Sequence, residues 1–206
     1  MIPEQAMEIK NARFLTSMDE YRGFEGIGLK QIAVVGKSNV GKSSLINALC
    51  KNSKLSKTSS TPGKTRLINI FEMTLYDQHK EEKFHLVDLP GYGYAKVNNA
   101  EKIKWGKMMD SYFRNSVHLI HVLHLVDVRH DPTQDDVMMN QYFRSMDRGF
   151  SIVATKSDKI SRGARMKHIA PICRALQVQP WEILLFSSET KDGRIELIKD
   201  ITKHII

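Results

Sequence analysis

The chain has 206 residues, enough for one domain with a substantial core, and its 41% hydrophobic and 26% charged content is ordinary for a soluble globular protein. Two cysteines, Cys50 and Cys173, exclude a disulfide framework, the start Met1-Ile2-Pro3-Glu4 lacks an export signal, and the longest apolar stretch, residues 116–126, is about half of a membrane span. A net charge of +8 points to an anionic partner, and together these features predict a cytoplasmic protein without a membrane partner.

Residues 1–30 read as an N-terminal extension of underivable role, packed on a domain of residues 31–206. In that domain apolar runs alternate with helical patterns, the signature of βαβ units. Strands are predicted at 31–35, 67–76, 84–88, 119–128, 150–155 and 183–186, and helices at 42–50, 100–115, 133–148, 164–176 and 193–205. The link between the second and third strands permits only a hairpin, so that pair is antiparallel. The expected fold class is α/β, a three-layer domain with a six-stranded, mostly parallel sheet containing one antiparallel strand.

After the first strand comes Gly36-Lys37-Ser38-Asn39-Val40-Gly41-Lys42-Ser43, a full match to G-x-x-x-x-G-K-[ST] leading into a helix. Gly36 and Gly41 allow successive backbone amides to converge on phosphate oxygens, and the helix adds the positive end of its dipole. Lys42 can reach the β- and γ-phosphates, and the Ser43 hydroxyl can ligate Mg²⁺. Residues 51–64 form a long loop rich in Ser, Thr and Lys, of the kind that is functional or disordered. No acidic residue lies between Gly26 and Phe71, a segment holding Lys30, Lys37, Lys42, Lys51, Lys54, Lys57, Lys64 and Arg66. Those eight cations account for the whole charge excess.

Asp88-Leu89-Pro90-Gly91 ends the third strand, 46 residues after Lys42. A carboxylate there can hold Mg²⁺ through a water, and the Gly91 amide can sense a γ-phosphate. Thr155-Lys156-Ser157-Asp158 follows the fifth strand. The Asp158 carboxylate matches the N1–H and 2-amino donors of guanine, whereas adenine offers a lone pair at N1. The Lys156 stem can cover the base. Phe186-Ser187-Ser188 ends the sixth strand, where a backbone amide can reach the guanine O6.

These runs, with Thr61–Arg66 as TPGKTR, Asp88–Lys96 as DLPGYGYAK and Asp127–Pro132 as DVRHDP, resemble the EngB/YsxC family of bacterial GTPases. The resemblance covers residue 31 to the C-terminus. It implies GTP and GDP as ligands with Mg²⁺, a role in assembling the large ribosomal subunit, and a link to cell division and septum formation. It also implies that Ser44, Gly63, Lys64 and Thr65 belong to the nucleotide site and that residues 51–66 are a switch loop. Family position makes Thr65 a Mg²⁺ ligand beside Ser43 and Asp88, and a catalytic residue beside Lys42 and Gly91. From the residues alone, Thr58, Thr61 and Thr65 are equal candidates. The cations of residues 51–66 suit contact with ribosomal RNA, and the chain is expected to act as a monomer.

Many regulatory GTPases place a water-positioning Gln just after D-x-x-G, where this chain has Tyr92. Intrinsic turnover is therefore expected to be slow and to need a partner or a second cation. In similar GTPases an Asn at the position of Asn39 helps to bind K⁺, and the alternative is that Asn39 only hydrogen-bonds within its loop. His118, His121 and His124, three apart on a strand, read as packing residues rather than metal ligands. Trp105 and Trp181 read as packing residues, and Asp127, Arg129 and Asp135 match the family pattern without derivable chemistry, so a structural or interaction role is expected of them. Two rivals stay open. One is a P-loop ATPase or kinase, the other an RNA-binding assembly factor that holds nucleotide without hydrolysing it.

Overall fold

In the computed structural model, residues 7–21, 23, 28–56, 67–77, 80–93, 99–146 and 148–206 are described. The elements are β1 (Glu8–Met18), β2 (Gln31–Gly36), α1 (Lys42–Leu49), β3 (Ile68–Asp77), β4 (Lys80–Asp88), α2 (Asn99–Asn115), β5 (Leu119–Asp127), α3 (Gln134–Ser145), β6 (Gly149–Thr155), α4 (Arg165–Leu176), β7 (Ile183–Leu185) and α5 (Arg194–Ile205). The sheet runs β1-β3-β4-β2-β5-β6-β7. Only β3 opposes the rest, since it pairs antiparallel with β1 and β4 while the other pairs are parallel.

Every residue of β2 is buried, because helices cover both sheet faces. Its side chains alternate between them. Ile32 and Val34 join Leu45, Leu49, Leu197 and Ile201 under α1 and α5. Ala33 and Val35 join Met109, Tyr112 and Phe143 under α2 and α3. On that second face α4 continues the layer, with Ile169, Ile172 and Leu176 against Val126, Ile152 and Ala154.

The seventh strand, β1, is the addition to the six expected, and the reason it escapes pattern reading is visible in its register. Shifts fall between Lys10 and Arg13 and between Phe14 and Thr16, with Asn11 at φ 49°. Irregularities of this kind break the period of two on which strand recognition depends. Ile9 is buried while Phe14 lies half exposed, edge to face on Phe71. The β3–β4 hairpin is also tighter than expected, with Asp77 opposite Lys80.

His121 and His124 sit three apart on β5 and face opposite layers, as the strand period requires. His121 stacks on His204 of α5 at 3.7 Å. His121, Asp200 and His204 bring their ligand atoms within 4.8 Å of one another. The two rings lie 16° from parallel, so their lone pairs do not converge on one point. His124 points to α3, edge on to Phe143. Burial pushes both rings down to about 4, with His204 adding to the effect on His121. Both are neutral in the folded chain but take up protons when it unfolds below pH 6.5, so stability is intact above that pH and falls toward pH 4. Each ring contributes about 3 kcal/mol to that loss. Asp88, pushed up to about 6, opposes them in the lower part of the window. Ring-proton shifts of both histidines are expected to stay constant from pH 8 to 5, while the urea midpoint drops. Ordinary titration near 6.5 would contradict this.

Candidate functional site

β2 ends at the centre of the sheet, and the chain must turn at once into α1. At Gly36 a Cβ would lie 2.7 Å from the Leu125 carbonyl oxygen and 2.9 Å from Val40 Cγ1, so no larger residue fits the turn. Gly41 caps α1 with φ 113°, a left-handed conformation that favours glycine, and Asn39 is left-handed at 61°. No acidic residue occupies the first turn of α1, so its positive end is unopposed. Lys42 is 8% exposed, with its Nζ 3.4 Å from the Gly36 carbonyl oxygen. Burial lowers the pKa of this ammonium and Asp88 works to raise it. Such a loop can cradle a polyphosphate.

Asp88 ends β4 alongside, fully buried, and its Oδ1 has no partner among the described residues. Burial pushes its carboxyl up to about 6 against the opposing pull of Lys42 and a hydrogen bond from Asn69. An orphaned, desolvated carboxylate oxygen fits a cation-bound water. The backbone beyond it lies on the phosphate loop. A Cβ on Gly91 would come within 2.9 Å of both Lys42 Nζ and Ser38 N, and the Ser38 amide donates to the Tyr92 carbonyl at 2.9 Å. Lys37 and Tyr92 pair as a short parallel bridge.

Tyr92 does not face the phosphate loop with its side chain. It is buried, edge on to Trp105, and its hydroxyl donates to Asp136 Oδ1 at 2.6 Å. His124 Nε2 lies 2.9 Å from the Tyr92 hydroxyl oxygen. Because the hydroxyl proton goes to Asp136, the ring donates from Nε2, leaving the buried Nδ1 without a partner. Asp136 Oδ2 meanwhile accepts from the backbone and hydroxyl of Thr133, in the capping box of α3. Tyr92 thus anchors the chain after Gly91 to β5 and α3, and its own side chain is not placed to orient a water. Thr133-x-x-Asp136 was readable as a helix start, but nothing local marked Asp136 as the receptor of a tyrosine 44 residues away.

The opposite side of the site is built from the ends of β6 and β7. Thr155 Oγ1 donates to the Val40 carbonyl at 2.6 Å, tying β6 to the phosphate loop. Lys156, left-handed at φ 62°, donates from Nζ to the Asn39 carbonyl and to Asp127 Oδ2, both at 2.8 Å, so its stem spans the cleft. Asp127 also takes two bonds from the Arg129 guanidinium. Burial works to raise its pKa, and the Arg129 and Lys156 bonds outweigh that and hold it well below the carboxylate range. That network supplies the chemistry sequence reasoning missed for Asp127 and Arg129.

The Ser187 hydroxyl donates to Asp158 Oδ1 at 2.8 Å, and Lys159 Nζ lies 3.1 Å from Oδ2. Burial again works to raise the pKa of this carboxyl, and Ser187 and Lys159 keep it lowered. Ser157 N–H donates to the Phe186 carbonyl and Phe186 N–H to the Ala154 carbonyl, fixing the two loops together. The cleft they enclose, about 170 Å³, is lined by Gly41, Ser44, Lys156, Asp158, Phe186 and Ser188 among others. It joins the phosphate loop at one end and the Asp158 carboxylate at the other.

Gly63, Lys64 and Thr65, together with Thr58, Thr61 and Arg66, lie outside the described residues. Of the basic segment, Lys30 donates to the Ile205 carbonyl at 2.6 Å and Lys51 pairs with Glu8 at 2.5 Å. These two cations serve the fold, which thins the charge excess available to a partner.

Residues 31–156 match the family model described as a 50S ribosome-binding GTPase. The chain is 41% identical over 194 residues to a probable GTP-binding protein EngB of Heliobacterium modesticaldum, covering 93% of this chain and 91% of that one. Its fold matches the crystal structure of a probable GTP-binding protein engB with a TM-score of 0.64 at 22% identity, covering 85% of this chain and 98% of that one. Era in complex with MgGDPNP and a segment of 16S ribosomal RNA matches with a TM-score of 0.66 at 25% identity, over 86% of this chain and 57% of that one. A phosphate loop, a D-x-x-G segment lying on it and a carboxylate-bearing base loop are the parts a GTP-hydrolysing protein needs, and the chain belongs to the EngB family of GTPases.

Proposed function

We propose that this GTPase is a cytoplasmic, monomeric switch in the assembly of the large ribosomal subunit. The observation that carries the reading is the seating of Gly91 and Tyr92 on the phosphate loop. A γ-phosphate entering between Lys42 and Gly91 must alter that contact, while Tyr92 stays pinned by Asp136 and His124. Nucleotide state is thereby converted into a position of the backbone.

In this reading the amides of Gly36, Lys37, Ser38, Asn39, Val40, Gly41, Lys42, Ser43 and Ser44 and the Lys42 ammonium grip the phosphates. Ser43 and Asp88 hold Mg²⁺, with Thr65 as the ligand given by family position. The metal supplies charge neutralisation on the β- and γ-oxygens. Leu89, Pro90 and Gly91 carry the γ-phosphate sensor. Thr155, Lys156, Ser157 and Asp158 select guanine, with Phe186, Ser187 and Ser188 closing over it and Gly63, Lys64 and Thr65 completing the site. Water attacks the γ-phosphoryl group, and with Tyr92 turned away the chain accelerates that step mainly by positioning and electrostatics. A K⁺ beside Asn39 adds positive charge, so turnover is faster in KCl than in NaCl.

The 50S ribosome-binding family description and the Era complex with ribosomal RNA support a ribosomal partner. The link to cell division and septum formation extends the same reading. Co-sedimentation with large-subunit particles is expected to be strong with a non-hydrolysable GTP analogue, weak with GDP, and no stronger than the GDP level for Lys42→Ala with either nucleotide. Equal association in both nucleotide states defeats the switch. The buried Tyr92 favours one alternative, an assembly factor that barely hydrolyses GTP, and single-turnover rates with and without particles separate the two.

A further inference from the structure

A second acid-free stretch lies far from the switch segment. Residues 159–181 contain no aspartate or glutamate, yet they carry Lys159, Arg162, Arg165, Lys167 and Arg174. They form the chain between the base loop and β7, with α4 at its centre. α4 buries Ile169, Ile172 and Leu176 against β5 and β6. Its opposite stripe, through Met166, Lys167, Ala170 and Arg174, is exposed, and Lys159 and Arg162 extend the stripe upstream. Lys159 pairs with Asp158 and Arg165 with Asp192. Arg162, Lys167 and Arg174 have no carboxylate partner among the described residues.

Trp181 stands at the far end, in the turn Pro180–Glu182, and is 80% exposed. Sequence reasoning made it a packing residue, and the structure contradicts that. Among the described residues no hydrogen bond or ring contact holds it. A large indole left in water at the end of a segment that carries unpaired cations is a combination that folding does not explain.

Resting on the ribosomal reading above, we propose that the outer face of α4, from Lys159 to Trp181, docks ribosomal RNA. Arg162, Lys167 and Arg174 hold successive backbone phosphates and Trp181 stacks on an unpaired base. Lys167 and Arg174 lie about 10 Å apart along α4, and Arg162 stands in the short turn Arg162–Ala164 just before it, room for more than one nucleotide of backbone. An exposed aromatic ring next to such a track is the arrangement by which sequence-tolerant RNA surfaces gain stacking as well as charge. A lipid surface suits it less well, since the stripe between the cations offers only Met166 and Ala170 as apolar contacts. The face contains no part of the phosphate loop or of Asp88–Gly91, so this contact is independent of nucleotide state. It gives a constant affinity on which the switch superimposes its own change.

The test uses the full chain loaded with GDP and purified large-subunit rRNA, titrated across 50–200 mM KCl. R162E/K167E/R174E is expected to bind roughly 10- to 100-fold more weakly at physiological salt, with a flatter salt dependence. K80E/K83E/K203E, the same reversal at exposed lysines elsewhere, is expected to bind at most a few-fold more weakly. W181A loses roughly 5- to 100-fold and W181F recovers most of it, since a phenyl ring still stacks. GDP affinity stays unchanged in every variant, which verifies the fold. Should the wild type bind rRNA and the α4 variants bind no more weakly than the control reversal, the docking face is wrong and the ribosomal reading stands. Should the wild type ignore rRNA, or bind only anionic phosphatidylglycerol vesicles, both fall together.

Discussion

Asp158→Asn is expected to erase most of the preference for guanine over adenine nucleotides, by roughly 10²- to 10⁴-fold, without unfolding the chain. The carboxylate sits at the end of the cleft with its pKa lowered by Ser187 and Lys159, so it is an acceptor on both oxygens at neutral pH. Guanine presents two adjacent donors, N1–H and the 2-amino group, to match it. An asparagine keeps one acceptor, which the Ser187 hydroxyl already uses, and turns an N–H toward the base. One donor of guanine then loses its partner and meets another donor, and a buried unpaired group of this kind costs about 1–3 kcal/mol or more. Xanthine has an oxygen in place of the 2-amino group, so its nucleotide is expected to bind the variant better than the wild type does. Competition of GDP, ADP and XDP for a fluorescent nucleotide reads all three. If GDP remains preferred as strongly as before, Asp158 is not the selecting group and the cleft between β6 and β7 is not the base site.

How much of this was legible in the sequence follows from whether the deciding physics is local. Gly36, Gly41 and Lys42 are fixed by a turn between one strand and one helix, and eight consecutive residues are enough to declare it. The same holds for Thr155 to Asp158 at the end of β6. The sheet was readable because both of its faces are covered, so β2, β5 and β6 are nearly unbroken apolar runs. β1 was not, because two register shifts and an exposed edge erase its alternation. Tyr92 could be flagged as an unusual neighbour of Gly91. Its pairing with Asp136 and His124 needs three elements brought together by the fold, which no spacing encodes. Trp181 failed for the reverse reason, because composition makes an indole a core residue and only the structure reveals its exposure.

Gly193→Ala is expected to destabilise the chain by about 3–5 kcal/mol and lower its Tm by roughly 10 °C. Gly193 starts α5 at φ 78°, a conformation that costs an L-residue about 1–2 kcal/mol on its own. Space adds more. A Cβ there would lie 1.8 Å from the Leu185 carbonyl oxygen and 2.9 Å from its carbon. Those are backbone atoms of β7, which is paired to Ala154 of β6 and cannot yield alone. The strand end and the start of α5 must therefore separate. Ser187 lies between them, donating its amide to the Asp192 carbonyl and its hydroxyl to Asp158, so the same displacement loosens the base loop. GDP affinity is expected to fall with stability, and saturating GDP to recover part of the lost Tm by mass action. Gly106→Ala is the contrasting control, because that glycine lies inside α2 and a Cβ there meets nothing within 4 Å. It is expected to raise stability by roughly 0.5–1 kcal/mol. If Gly193→Ala melts with the wild type, α5 does not start against β7 as described, and the rigid seat of Asp158 goes with it.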